Sequence, residues 1–167
     1  MAKKTTKYGI TDEAFLPKMI ESCSDDEERG LVYILSYTGM HGSLLKSLTL
    51  ANLTKQGDKH YLRWPRTKTG RMMEADIPEN KLPIIESFLR NRKKHLSWYN
   101  TLLRRIGTRA GFDAVSTMTF RHTLCIRLIL DGMPLPFIRQ KMGCTTEVIE
   151  RAYGRLTPEQ LRGLYRR

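Results

Sequence analysis

Glycines and prolines divide this chain into short segments in which apolar residues recur at helical spacing. Gly39, Gly111 and Gly143 each follow such a segment, and Gly132 with Pro134 separates two more. Because glycine and proline end helices, each helix can run for only a few turns. The pattern therefore predicts a mostly helical fold built of short helices.

One region has a different pattern. Residues 60–78 indicate two strands on either side of a Thr-Lys-Thr-Gly turn at 67–70, and Pro65 favours an edge strand. The predicted fold class is mainly α with a small antiparallel β-sheet (α+β). We expect residues 11–167 to form a single domain, beginning with a helix capped by Thr11, and residues 1–10 to form a basic, flexible lead-in.

The charge of the chain is strongly positive, with a net charge of +12 at pH 7 and an isoelectric point of about 9.9. Such an excess is typical of a protein that binds a polyanion, usually nucleic acid, although a basic protein without such a partner is the alternative. The charge is unevenly placed, because residues 11–29 are mainly acidic and residues 87–112 contain no acid. The basic residues of that second stretch are Arg90, Arg92, Lys93, Lys94, Arg104, Arg105 and Arg109.

The sequence also lacks the marks of several other classes of protein. No apolar run approaches the roughly 18 residues that a membrane-spanning helix needs. Cys23, Cys125 and Cys144 are an odd number without a metal-binding spacing, which favours a reduced, cytoplasmic protein. Glycine-rich phosphate loops and zinc-protease motifs are absent, whereas a helix-turn-helix remains open.

Three stretches together resemble the catalytic domain of the tyrosine recombinase (phage integrase) family. Residues 37–53, YTGMHGSLLKSLTLANL, are similar to its first box, a Thr-Gly-x-Arg turn followed by a short helix. Residues 67–70, TKTG, are similar to its lysine-bearing hairpin turn, and residues 118–156 to its second box and nucleophile. The resemblance covers most of the chain and implies the fold of that catalytic domain.

The second box agrees with the family pattern at a set of fixed positions. The agreeing residues are Arg121, His122, Thr123, Gly132, Met142 and Gly143. Tyr153 follows Cys144 by nine residues, which is the family's spacing between its last box and its nucleophile. The combination is far more specific than any of these positions alone.

The resemblance implies that a tyrosine attacks a DNA phosphodiester and forms a 3′-phosphotyrosine, with no metal or cofactor. Tyr153 would be that nucleophile, and the alternative is a tyrosine that packs at a helix end. Arg121 would clamp the phosphate through a planar fork that lysine cannot copy. Lys68 would be the general acid, with Arg71 as its substitute and an exposed turn lysine as the alternative, and His122 would be a hydrogen-bonding support.

Three positions depart from the family pattern. His41 stands in place of an arginine, Met118 in place of a histidine, and Cys144 in place of a histidine or tryptophan. Leu44 also stands where the family has a glutamate. Each lost transition-state donor costs about 10²–10³ in rate, and a basic pocket disfavours a protonated His41 unless DNA is bound. The resemblance thus implies impaired or atypical activity.

Three hypotheses about function follow. The first is DNA recombination or integration of a mobile element, by strand cleavage and rejoining. The second is a catalytically inactive relative that binds DNA or a partner recombinase. The third is a helical transcription factor with a helix-turn-helix, against which the turn bearing Lys68 argues.

The expected partner is double-stranded DNA, contacted by the basic residues of 87–112, and no membrane is expected. Residues 157–167, TPEQLRGLYRR, either dock on a neighbouring protomer in a tetramer on DNA, as tail helices of this family do, or pack on their own domain. The N-terminal core-binding domain of the family is expected to be absent from this chain.

Overall fold

The computed structural model describes residues 9–66, 68–91 and 93–165. The helices of this part are α1 (Phe15–Glu21), α2 (Asp26–Thr38), α3 (Leu82–Arg90), α4 (Leu96–Ala110), α5 (Thr117–Leu130), α6 (Leu135–Met142), α7 (Thr146–Tyr153) and α8 (Pro158–Tyr165). The strands are β1 (Leu53–Gln56), β2 (Lys59–Pro65) and β3 (Met72–Ile77), and 3-10 helices lie at Gly42–Ser47, Leu50–Asn52 and Glu79–Lys81. The predicted fold class is confirmed. Within the described ranges, no helix combines the length and apolar character that crossing a membrane requires.

The ends of the first two helices follow from local hydrogen bonds. α2 begins after Asp25, because the Asp25 carboxylate accepts a hydrogen bond from the Glu28 amide at 2.8 Å. The prediction that Thr11 caps α1 is wrong. The Asp12 carboxylate instead accepts from the amide of Ala14 at 3.0 Å, and the turn it holds delays the helix.

Residues 82–96 have apolar residues at helical spacing, but the helix that begins at Leu82 ends before this segment does. α3 ends at Arg90, because Asn91 has an extended backbone (φ −66°, ψ 152°). His95 then begins α4, with its imidazole Nδ1 accepting from the Ser97 amide at 3.3 Å.

The sheet is antiparallel in the order β1-β2-β3, so the predicted hairpin gains a strand that the sequence did not predict. The prediction that Pro65 marks an edge strand is wrong, since β2 is central. The reason is the short length of β1, whose pairing with β2 runs from Gln56↔Lys59 only to Leu53↔Leu62. At Pro65 the strand β2 therefore has β3 as its one neighbour, paired through Met72.

Two apolar clusters form the core, and α5 belongs to both. The first cluster contains α1, α2, the inner face of the sheet, α3, α4 and the start of α5, as far as Phe120. The second begins at Leu124 of α5 and continues through α6 and α7 to Leu156. Arg121 lies between Phe120 and Leu124 and is itself buried, so the boundary between the two cores is polar.

Both ends of the described chain pack against the second half of the molecule. In α8, Leu161 and Leu164 pack on the second cluster, and the Gln160 amide nitrogen donates to the Thr11 carbonyl at 3.4 Å. Of the two placements expected for residues 157–167, the described part of the tail therefore packs on its own domain in this single chain. Gly9 and Ile10, which the sequence assigns to the lead-in, lie against α5, where the Ile10 amide donates to the Thr123 hydroxyl at 3.1 Å.

We predict that Gly30→Ala destabilises the protein. A Cβ at Gly30 in α2 would lie 2.6 Å from the Cβ of Phe88 in α3, so the two helices would have to separate. Overpacking of this kind costs about 1–3 kcal/mol, which a urea unfolding curve measures directly. Gly163→Ala in α8 is the matched control, because a Cβ there meets nothing within 4 Å and stability should not fall. Equal stability of the two variants would contradict the close approach of α2 and α3.

Candidate active site

Arg121 joins three helices through two backbone carbonyls. Its Nη1 donates to Gly39 at the end of α2 (2.6 Å), and its Nη2 donates to Met142 at the end of α6 (2.5 Å). Both carbonyls lie at helix C-termini, where the helix dipole favours a cation. A guanidinium has five N–H donors, so three remain without a protein partner among the described residues. Although only 8% exposed, Arg121 lines a cleft.

Gly39 is the residue that makes this arrangement possible. Its φ is +54°, and a Cβ would lie 2.9 Å from Cε of Met142 and 3.0 Å from Cδ2 of Leu124. A side chain would therefore strain the backbone and displace the end of α6. The Thr-Gly pair of the first box serves here to present a carbonyl to Arg121.

Arg66 is a residue of the site that the sequence analysis missed. It follows the last residue of β2, and its Nη2 donates to the Gly143 carbonyl at 2.8 Å, which ties the hairpin to the end of α6. The guanidinium also lines the cleft. The available signal was its position two residues before Lys68. Arg71, the predicted substitute for Lys68, is exposed and is not among the residues that line the cleft.

A cleft of about 420 Å³ lies between the end of α2, the hairpin, the start of α5 and the α6–α7 turn. It brings together most of the residues that the sequence singled out. Those in its wall are His41, Leu44, Lys68, Met118, Arg121, His122, Met142, Gly143 and Cys144. Arg121, Lys68 and Arg66 supply three positive charges, so the cleft is suited to an anion with several oxygen acceptors.

The two histidines of the cleft are poor cations. The pKa of His41 lies below the ordinary histidine value. The main cause is burial, which removes water from the ring, and the positive charges of Arg121, Lys68 and Arg66 lower the pKa further. Burial, followed by the charges of Arg121, Arg151 and His41, lowers the pKa of His122 in the same way. Both rings are therefore mainly neutral at pH 7. This agrees with the expectation that a basic pocket disfavours protonated His41.

Cys144 differs from the other two cysteines. Interaction with the Cys125 thiol lowers the pKa of Cys144. Burial raises that pKa, but the charge of Arg121 lowers it further, so the net shift is downward. The same interaction and burial raise the pKa of Cys125, so Cys125 keeps its proton. Burial raises the pKa of Cys23, far from the cleft, to about 11. Within the described residues, no group of three or more His, Cys, Asp or Glu is placed to hold a metal ion.

Tyr153 is not among the residues that line the cleft. It is the last residue of α7, half-buried against the second core. Val148 of the same helix does line the cleft, and five residues of α-helix place Tyr153 about 7.5 Å further along the axis and about 140° around it. The structure therefore places this tyrosine at a helix end, packed on its own domain.

The basic residues of 87–112 have different surroundings. Arg104 and Arg105 are exposed and make no ion pair with any described residue. Arg109 is bound to Glu28 and to the Ser22 carbonyl, and the Lys93 ammonium donates to the Phe88 carbonyl at 2.5 Å.

Arg90 and Lys94 make weaker contacts. Arg90 forms an exposed ion pair with Glu86 at 3.5 Å, and the Lys94 ammonium lies 5.6 Å from the centre of the Trp98 ring. Arg92 lies outside the described residues. Arg104 and Arg105 are thus the members of the set most available to a phosphate backbone.

Comparison with solved structures identifies the fold. XerA recombinase superimposes with a TM-score of 0.76 at 21% sequence identity, over 93% of this chain and 63% of that protein. XerH site-specific recombinase, bound to its palindromic difH substrate in a post-cleavage complex, gives 0.74 at 16% identity, over 94% of this chain and 52% of XerH. This chain has the tyrosine recombinase catalytic-domain fold.

The catalytic domain of bacteriophage HP1 integrase agrees, with a TM-score of 0.64 at 17% identity, over 95% of this chain and 94% of that domain. The chain spans between half and two thirds of the two Xer proteins. No protein-family profile and no curated protein sequence matches it. The structural similarity confirms the predicted fold, which is not that of a helix-turn-helix transcription factor.

We predict that Arg121→Met destabilises the protein by about 3–5 kcal/mol, because both buried carbonyls lose a charged donor. Arg121→Lys should lose about 1.5–3 kcal/mol, since one ammonium cannot reach both oxygens in the fork geometry. Arg104→Met, at an exposed arginine without an ion pair, is the control and should stay within about 0.5 kcal/mol of the parent. Urea unfolding of the three variants provides the measurement. If Arg121→Met were as stable as Arg104→Met, the bridge would not hold the cores together.

Proposed function

We propose that the chain is a DNA strand transferase, which cuts and rejoins double-stranded DNA in site-specific recombination. The observation that carries the proposal is the convergence of Arg121, Lys68 and Arg66 on one cleft. Three cations, two of them held by protein hydrogen bonds, suit a phosphodiester, whose transition state gains negative charge on the non-bridging oxygens. The solved relatives named above are recombinases and an integrase, and XerH was captured on its DNA substrate.

The proposed reaction is a transesterification that needs no cofactor. The Tyr153 hydroxyl gives its proton to solvent and its oxygen bonds to phosphorus, while the bond from phosphorus to the 5′ oxygen breaks. Lys68 gives a proton to that leaving oxygen. Attack of a 5′ hydroxyl on the phosphotyrosine reverses the steps and rejoins the strand. Cleavage requires α7 to shift, because Tyr153 must leave its packing on the second core and enter the cleft.

Arg66 takes over part of the role that an arginine at position 41 would have. Its Nη2 is bound to Gly143, as Arg121 is bound to Gly39 and Met142, so both guanidiniums are held in fixed positions at the cleft. His41 is mainly neutral, Met118 cannot donate a hydrogen bond, and Cys144 is a weak donor. The phosphate clamp is therefore weaker than one with an arginine at position 41 and hydrogen-bond donors at positions 118 and 144. We therefore propose slow cleavage.

A second candidate function is DNA binding without cleavage. The position of Tyr153 favours it, since the ring packs on the second core and not in the cleft. In this alternative the cleft holds a DNA phosphate and α7 stays in place. The next experiment separates the two functions.

We predict that the protein forms a slow covalent adduct with nicked suicide duplexes, in which the cleaved end diffuses away. Because the DNA target sequence is not known, the duplexes carry randomised sequence on both sides of the nick. A denaturing gel detects the covalent protein–DNA adduct. His41→Arg should raise the rate by about 10²-fold, because it restores a permanently charged donor. Tyr153→Phe should form none, and an adduct that survives this change would rule out Tyr153 as the nucleophile. Binding without an adduct in the wild type, with an adduct in His41→Arg, would favour the second function.

We predict that affinity for duplex DNA falls steeply with salt, because exposed arginines release counterions from phosphates. The double change Arg104→Ala and Arg105→Ala should reduce the slope of log K against log salt by about two. Arg29→Ala is the control, because Arg29 is paired with Asp26 in the acidic stretch and its loss should not change the slope. Fluorescence anisotropy of a labelled duplex measures both. An unchanged slope in the Arg104→Ala, Arg105→Ala variant would indicate that DNA binds to another surface of the protein.

A further inference from the structure

Two of the three cysteines form a pair at the cleft. Cys125 is in α5, one turn after Arg121, and is buried. Cys144 follows the glycine that ends α6, packs against the cluster that contains Cys125, and lines the cleft. The Cys125 thiol lies close enough to the Cys144 sulfur to lower the pKa of Cys144. One sulfur is thus open to the cleft, and the other lies directly behind it.

The surroundings of Cys144 favour its thiolate. The charged groups that act on it are Arg121, on the wall of the cleft, and Arg139 in α6, and both lower its pKa in addition to the Cys125 thiol. A thiolate that is accessible to solvent and next to a second thiol is the arrangement in which oxidation is selective and reversible. Cys23 has the opposite surroundings, since it is buried and its thiol donates to the Met19 carbonyl at 3.2 Å.

We propose that Cys144 is a peroxide-sensitive site and that Cys125 resolves its oxidised form into an intramolecular disulfide. Nothing in the recombination proposal assigns a role to either sulfur. The inference goes beyond the proposed function and does not depend on it.

The chemistry balances with hydrogen peroxide as the oxidant. The Cys144 thiolate attacks one peroxide oxygen, so an S–O bond forms, the O–O bond breaks, and the hydroxide that leaves takes up a proton to become water. Cys144 is then a sulfenic acid. The Cys125 sulfur attacks the Cys144 sulfur, the S–O bond breaks, and the departing hydroxide takes the Cys125 proton as a second water. Two thiols are oxidised and one peroxide is reduced.

The two cysteines belong to one part of the fold, since Cys144 packs on the apolar cluster that contains Cys125, and the two thiols influence each other's ionisation. Forming an S–S bond of roughly 2 Å requires a shift within the α6–α7 turn. The bond would fix that turn to the middle of α5. It would also replace a negative thiolate beside Arg121 with a neutral group, so the cleft would become more positive.

The test uses the whole reduced chain without DNA, treated with hydrogen peroxide and blocked with N-ethylmaleimide. Peptide mass spectrometry should find Cys125 linked to Cys144 within one chain, with Cys23 still reduced. Cys125→Ala should stop at a Cys144 sulfenic acid that dimedone traps, and Cys144→Ser should leave Cys125 reduced. Cys23→Ala is the matched control and should form the disulfide at the wild-type rate.

Iodoacetamide labelling against pH provides a second readout on the wild type, and it remains valid if a variant fails to fold. Cys144 should reach half its maximal rate below about pH 8.5, the ordinary cysteine value, and at pH 7 it should react about tenfold faster than Cys23. Equal rates for Cys144 and Cys23, or a disulfide formed only between chains, would overturn the proposal. Because no step involves DNA cleavage, the result stands whether or not the recombination proposal does.

Discussion

The guanidinium of Arg121 is the interaction on which the rest of the structure depends. It lies between two apolar cores and binds the last carbonyls of α2 and α6, so the halves of the molecule meet through a charged group. A buried cation is costly unless it is well bonded, and these two carbonyls, both at negative helix ends, offset that cost. The bridge in turn requires Gly39, since a side chain there would push the end of α6 away.

The same bridge determines what the cleft can do. An arginine used only to bind phosphate would be free to move, whereas Arg121 is fixed by its protein bonds before any ligand arrives, so little reorganisation is needed on binding. Arg66 is held in the same way through Gly143, and it brings the turn with Lys68 toward α6. The bonds that hold these guanidiniums in the fold therefore also fix two positive charges at the wall of the cleft.

The features of the fold and cleft that could be predicted are those that depend on residues close together in the sequence. Helix stops such as Gly39 and Gly143, and the box around Arg121, give the fold and most of the cleft wall. Arg66 was missed because its bond to Gly143 spans 77 positions and has no local signature. β1 was missed because its four residues are too few to show the alternation of apolar and polar side chains that indicates a strand. The packing of Tyr153 on the second core could not be predicted, because it depends on where α7 lies in the fold. Sequence thus predicted most of the cleft wall, whereas tertiary packing brings Arg66 into it and keeps Tyr153 out of it.

The three departures from the family pattern change the chemistry of the cleft rather than its shape. Met118 cannot hydrogen-bond as a donor, and His41 is mainly neutral because burial, and then the charges of three nearby cations, lower its pKa. Cys144 is different in kind, because its pKa is lowered to about 7, and its thiolate form accepts hydrogen bonds and carries a negative charge beside Arg121. A phosphate bound in the cleft would compete with this thiolate for one guanidinium. Anion binding in such a cleft depends on the ionisation and oxidation of a single sulfur, a dependence that a histidine or tryptophan at position 144 would not produce.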